Sequence, residues 1–111
     1  MLPYTMFHVV YLFDVMDGRQ ADFERAWKEL TEAIYKNSGS LGSRLLKQDA
    51  GKYLAIAQWP NEKTWAESPA ALPGWTGAIR DRMRDCCHSM ETVFKGFVLA
   101  DLTRSSSYRD A

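Results

Sequence analysis

The stretch Met6-Phe7-His8-Val9-Val10-Tyr11-Leu12-Phe13-Asp14 is β-branched and aromatic almost throughout, the composition of a buried strand. Side chains alternate across a strand, so Phe7, Val9, Tyr11 and Phe13 share one face and Met6, His8, Val10 and Leu12 the other. Both faces are mostly apolar. Antiparallel sheets in small proteins commonly leave one face to water, so this pattern asks for helices on one side and a partner molecule on the other.

Working outward, Asp17-Gly18-Arg19-Gln20 breaks the strand, and Asp17 stands three residues before Gln20, the spacing of a helix-capping pair. From about 19 to 37 the apolar residues Phe23, Ala26, Trp27, Leu30, Ala33 and Ile34 recur in steps of three and four, predicting an amphipathic helix. Trp27 reads there as core packing with Phe23 and Leu30. Asn37-Ser38-Gly39 ends the helix. Strands are expected at 41–48 and 52–59, joined by Asp49-Ala50-Gly51. In the second, Tyr53, Ala55, Ala57 and Trp59 alternate with Leu54, Ile56 and Gln58. Pro60 stops that strand, and Asn61 is placed to cap a short helix over 62–67 that carries Trp65. Ser68–Gly74, with two prolines, reads as a loop. A helix is expected at about 75–88, with Trp75, Ile79, Met83 and Cys86 near one face and Arg80, Asp81, Arg84 and Asp85 outside. A last strand is expected over 91–101. The order is β-α-β-β-α-β, an α+β ferredoxin-like arrangement with a four-stranded antiparallel sheet.

The chain has 111 residues, 14 basic against 14 acidic side chains, 46% hydrophobic and 13% aromatic residues. Zero net charge argues against the broad basic surface of a nucleic-acid binder. No apolar run approaches the ~18 residues of a membrane span. Met1-Leu2-Pro3-Tyr4-Thr5 lacks the basic and apolar regions of a secretory leader, so a cytoplasmic protein is expected. The length predicts one domain over 1–102, followed by a polar tail over 103–111. So small a chain has little interior to spare for a ligand cavity, and zero net charge removes the repulsion that keeps copies apart; both lean towards a homodimer. Cys86 and Cys87 are adjacent, which excludes a stabilising disulfide framework within the chain and agrees with a reducing compartment. Cys86-Cys87-His88 lacks a second ligand pair at metal-site spacing, so the run reads as packing and no metal is expected.

Several pieces together carry a resemblance to a known family: the strand Val9–Val15, then Gly18, Phe23 and Trp27, the run Gly39-Ser40-Leu41-Gly42-Ser43-Arg44-Leu45, and Ala57-Gln58-Trp59-Pro60-Asn61-Glu62. Over roughly residues 6–101 the chain resembles antibiotic biosynthesis monooxygenase (ABM) domains. That resemblance implies a dimeric α+β barrel closed through the sheet faces. It implies an enzyme of the cofactor-independent branch, oxidising a hydroxylated aromatic or quinol-like small molecule with O2. The alternative is a non-catalytic small-ligand-binding or stress-response barrel. The haem-degrading branch places an Asn on the first strand, where this chain has Tyr11, and a haem-ligating His where the segment Trp75–Met83 has none. Haem cleavage is therefore not expected, nor any cofactor.

An ionised phenol or hydroquinone can itself donate electrons to dioxygen, so the protein needs a dry pocket, hydrogen-bond donors for the developing oxyanion and optionally a base. The aromatic residues Tyr11, Trp27, Tyr53, Trp59, Trp65 and Trp75 supply the material for such a pocket. Tyr11, Trp65 and Trp75 are the substrate-binding candidates; Tyr11 faces the helices and the two tryptophans flank the proline-containing loop. Tyr11 and His8 are the catalytic candidates. His8 reads first as a paired interfacial histidine and second as a base, His88 as a helix-end cap, and Arg44 first as a solvated or interfacial salt-bridging residue and second as a partner for an acidic ligand group.

Overall fold

The first strand, β1 (Phe7–Val15), runs through the middle of the sheet, as a strand apolar on both faces must. The computed structural model describes residues 6–49 and 51–103. The expected tail therefore lies, beyond Thr103, outside the described residues, as does Ala50 of the hairpin turn. The elements are β1, α1 (Gln20–Asn37), β2 (Ser43–Lys47), β3 (Lys52–Trp59), α2 (Glu62–Ala71), α3 (Thr76–Asp85) and β4 (Cys87–Phe97). The four strands form one sheet in the order β2-β3-β1-β4, with every neighbouring pair antiparallel. This is the α+β, ferredoxin-like architecture read from the sequence.

Phe7, Val9, Phe13 and Val15 are buried on the helix-facing side of β1, in the parity expected. Helix α1 covers that side with Phe23, Ala26, Leu30 and Ala33, all buried, and α3 packs beside it through Thr76, Ile79 and Met83. The Phe23 ring sits 5.0 Å from Phe13 and 4.8 Å from Tyr53, centroid to centroid, in tilted geometry, the arrangement favoured by ring quadrupoles. Gly51 is required in the turn: its φ is +90°, and a Cβ there would lie 2.7 Å from the Val15 carbonyl oxygen, whose own N–H donates to Gly51 O. The opposite face, with Val10, Leu12, Leu54 and Ile56 half-buried and Phe94 57% exposed, has no helix over it among the described residues.

Four local expectations are corrected. Asp17 does not cap α1: Arg19 occupies the N-cap and makes no side-chain capping bond. The loop expected from Ser68 shrinks, because α2 continues to Ala71 with Pro69 inside it. Near a helix C-terminus proline costs one backbone bond, that to the Trp65 carbonyl, and Ala70-Ala71 favour continuation. Asn61 does cap α2, its side chain accepting from the Thr64 N–H. The third helix stops at Asp85 and β4 starts at Cys87, because the edge of β1 takes this segment as its partner: Val15 pairs with Cys87, and Met16 N–H donates to Cys86 O. His88 is therefore an exposed strand residue and caps no helix. Finally, Trp75 lies outside the buried stripe of α3, which begins at Thr76.

Candidate functional site

The alternation on β3 decides where space is left. Tyr53 and Trp59 are large, whereas the two same-face residues between them are alanines, and Ala55 and Ala57 sit directly opposite Tyr11 and Val9 of β1. Helices held off the sheet by the large residues cannot collapse onto the small ones. The result is a cavity of about 190 Å³ between sheet and helices. Its floor is Tyr11, Phe13, Ala55 and Ala57; α1 contributes Trp27, Leu30, Thr31 and Ile34, and α3 contributes Arg80 and Met83. Ser40, Ser43 and Trp59 complete the wall. A cavity of about 150 Å³ lined by apolar residues holds benzene, so this one accommodates a single aromatic ring with substituents.

Tyr11 is where sequence and cavity meet. Its hydroxyl oxygen accepts a hydrogen bond from Trp65 Nε1–H at 3.1 Å. The hydroxyl proton has no acceptor among the described residues and is free to rotate towards a ligand. Burial raises the Tyr11 phenol above its ordinary value, against smaller opposing effects of the Trp65 bond and the Arg80 charge. It is therefore protonated at neutral pH, a donor and not a base. Trp65 stands behind Tyr11 and does not itself line the cavity. Its ring packs on Phe7 at 5.6 Å and lies under Lys95 Nζ at 5.1 Å, which holds the indole N–H in position.

The other candidates fall elsewhere. His8 is on the far face of the sheet, opposite Gln58 and Gly96, away from the cavity. Trp75 is 60% exposed and contributes nothing to the cavity wall. Arg44 is exposed on β2. Tyr53 is buried in the core, its hydroxyl donating to Glu24 Oε2. In Cys86-Cys87-His88 the strand alternation points Cys87 inward and His88 outward, so the three side chains do not converge. Burial, with smaller effects of Cys86 and Asp14, pushes the Cys87 thiol up to about 11, which leaves it a poor nucleophile at neutral pH.

One cavity residue was read otherwise from the sequence. Trp27 and Trp59, named there among the aromatic residues that supply a pocket, line the cavity, Trp27 only half-buried although read first as core packing. Arg80 was assigned to the solvent face of its helix, yet it lines the cavity. Its signal was available, since 76, 79, 80 and 83 are one helical stripe and Arg80 is the charged member of it.

The fold, with its pocket between sheet and helices, defines a ferredoxin-like α+β protein. The family model for antibiotic biosynthesis monooxygenase (ABM) matches residues 6–76, and the chain belongs to that family. No curated protein matches it in sequence. Among solved structures it is similar to a variant of SnoaB, a cofactor-independent oxygenase from Streptomyces nogalater, at 21% identity and TM-score 0.70, covering 89% of this chain and 96% of that one. It is also similar to a candidate antibiotic biosynthesis monooxygenase from Nitrosomonas europaea (15% identity, TM-score 0.74, 89% and 95% covered). A conserved protein from Methanosarcina mazei is similar at 14% identity and TM-score 0.70, with 86% and 93% covered. No helix among the described residues is long and apolar enough to cross a membrane.

Proposed function

We propose that this protein is a cofactor-independent monooxygenase that oxidises a hydroxylated aromatic or quinol-like molecule with O2. The observation that carries the reading is the Tyr11 hydroxyl: oriented by Trp65 and kept protonated by burial, it stands on the floor of an aromatic cavity. Membership of the ABM family and the fold shared with SnoaB support the same reading.

The chemistry needs no further redox group. The ionised substrate donates its electrons to O2, and a C–O bond forms at an activated ring carbon to give a peroxide. Loss of the proton on that carbon then breaks the O–O bond, leaving a new carbonyl and releasing water. For a ring CH2 the balance is CH2 + O2 → C=O + H2O, with all four electrons coming from the substrate. In this scheme the apolar walls hold the ring, and the Tyr11 O–H donates to the oxygen on which negative charge develops, a kind of preorganised donor that contributes strongly to catalysis. Protons leave to solvent, since no Asp, Glu or His lines the cavity.

Two further elements belong to the proposal. The apolar face of the sheet away from the helices, with Phe94 57% exposed on its edge strand, supports a homodimer paired sheet to sheet. The two unbridged cysteines support a reducing, cytoplasmic setting. In the test, metal-free protein is given a panel of anthrones and hydroquinones in an oxygen electrode. Oxygen uptake above the autoxidation rate is the expected result. Tight binding of the same compounds without uptake would instead assign a non-catalytic binding protein.

A further inference from the structure

Two side chains of the cavity wall, Trp27 and Ser43, also line a second depression of about 430 Å³ outside it. The periods of helix and strand account for the sharing. On α1, Leu30, Thr31 and Ile34 continue from Trp27 into the cavity, and Glu24 and Lys28 into the outer groove. Steps of three and four keep these residues on one side of the helix. On β2 every second residue faces α1, so Ser43 borders the cavity while Leu45 and Lys47 border the groove. The two spaces adjoin at Trp27, and the groove runs on between α1 and the edge strand β2.

A second observation concerns charge. Glu24 is the one carboxylate lining the groove among the described residues. It is already engaged: the Tyr53 hydroxyl donates to its Oε2, and Lys47 Nζ lies 3.9 Å from the same oxygen. Exposed Lys28 has no carboxylate within salt-bridge distance among the described residues. The groove thus carries two cations against one acid. Its remaining lining is Leu45 and the rings of Trp27 and Tyr53. Lysine stems cover apolar surface while their ammonium groups stay in water, so the groove suits an aliphatic segment that ends in an anion.

We propose that this groove is a second binding subsite, which takes an anionic aliphatic side chain carried by the ring in the cavity. The ligand class is a hydroxyarene with a carboxylate on a short flexible chain. The proposal rests on the functional reading above for the place of the ring, and it concerns binding whether or not oxygen is consumed. The cavity takes a single substituted ring, and a longer substituent finds the adjoining space past Trp27 and Ser43. Ser43 and Lys47 stand four strand residues apart, roughly 13 Å, so a chain of about three methylenes brings a carboxylate into the groove. Ion pairs at exposed lysines are weak, and effects of a few-fold are expected from each.

The test is calorimetric titration of the full chain at neutral pH with three phenols. These are 4-(4-hydroxyphenyl)butanoate, its uncharged counterpart 4-butylphenol, and 4-hydroxybenzoate, whose carboxylate is joined directly to the ring and stops short of the groove. Lys28→Gln and Lys47→Gln are each expected to weaken binding of the long acid about threefold, and the double variant about tenfold. Binding of 4-butylphenol and 4-hydroxybenzoate is expected to change less than about 1.5-fold in the same variants, as loss of an ion pair confined to the groove requires. Lys63→Gln, on α2 and outside the groove, is expected to change none of the three. A long acid that loses no more than 4-butylphenol, or as much in Lys63→Gln, would overturn the subsite and leave the ring-binding cavity standing. Failure of all three phenols to bind would overturn both the subsite and the reading it rests on. Absence of oxygen uptake alongside lysine-dependent binding of the long acid would overturn the oxygenase reading alone.

Discussion

The Tyr11 hydroxyl has one side engaged and one free. Its oxygen accepts from Trp65 at 3.1 Å and its proton has no acceptor among the described residues; in the function proposed, that proton serves the ligand and Trp65 acts through Tyr11 as a positioning residue. Because the Trp65 bond works against the burial that raises the Tyr11 phenol, Trp65→Phe is expected to raise it further. The readout is an ultraviolet titration of tyrosinate, with Tyr11→Phe identifying the signal. The same variant is expected to lower kcat with little change in KM, since the ligand does not touch Trp65. A Tyr11 titration unchanged by Trp65→Phe would remove Trp65 from the site.

At the scale of elements, β3 is the determinant: large, small, small, large across Tyr53, Ala55, Ala57 and Trp59. Filling the gap should close the cavity, so Ala57→Leu is expected to weaken 4-nitrophenol binding at least tenfold without loss of stability, since the added atoms enter space already present; calorimetry of binding and denaturant melts check the two parts. Tyr53 anchors the other end of the strand. Burial first, and then the Glu24 carboxylate that it bonds, push its phenol up to about 12. An unfolded tyrosine titrates near 10, so the folded state holds this proton more tightly. Its contribution is complete below about pH 10 and is lost as the pH rises towards 12. Denaturant melts between pH 9 and 12 should show that loss in the wild type and a smaller one in Tyr53→Phe. The strands and α1 were legible in the sequence because their periods of two and 3.6 are uninterrupted. The boundary at Cys87 was not, because pairing with the edge of β1 overrides the helical pattern that runs up to it. Arg80 was missed because charge alone was taken to mean solvent, whereas its spacing with Ile79 and Met83 placed it inward. His8 and Trp75 were reasonable by residue type, yet strand parity sends one to the far face and the helix start leaves the other exposed. Trp59 was legible as an aromatic residue for the pocket, whereas the unmet hydrogen bond of its buried indole N–H exists only in three dimensions.

At the scale of the whole molecule, the two faces of the sheet have separate tasks. One carries the helices and the cavity, and the other leaves Val10, Leu12, Leu54, Ile56 and Phe94 without a covering helix among the described residues. Sedimentation at micromolar concentration is expected to give a species of twice the chain mass, and Ile56→Glu, which places a charge on that face, a single-chain species. A wild-type monomer would contradict the pairing. The central claim, that the Tyr11 cavity itself oxygenates an aromatic, meets its most direct test in isotope labelling. Metal-free protein turning over an anthrone under 18O2 should place one 18O atom in the product carbonyl, and Tyr11→Phe, still folded, should slow that incorporation about a hundredfold. A product oxygen drawn from water, or incorporation at the same rate in Tyr11→Phe, would contradict it.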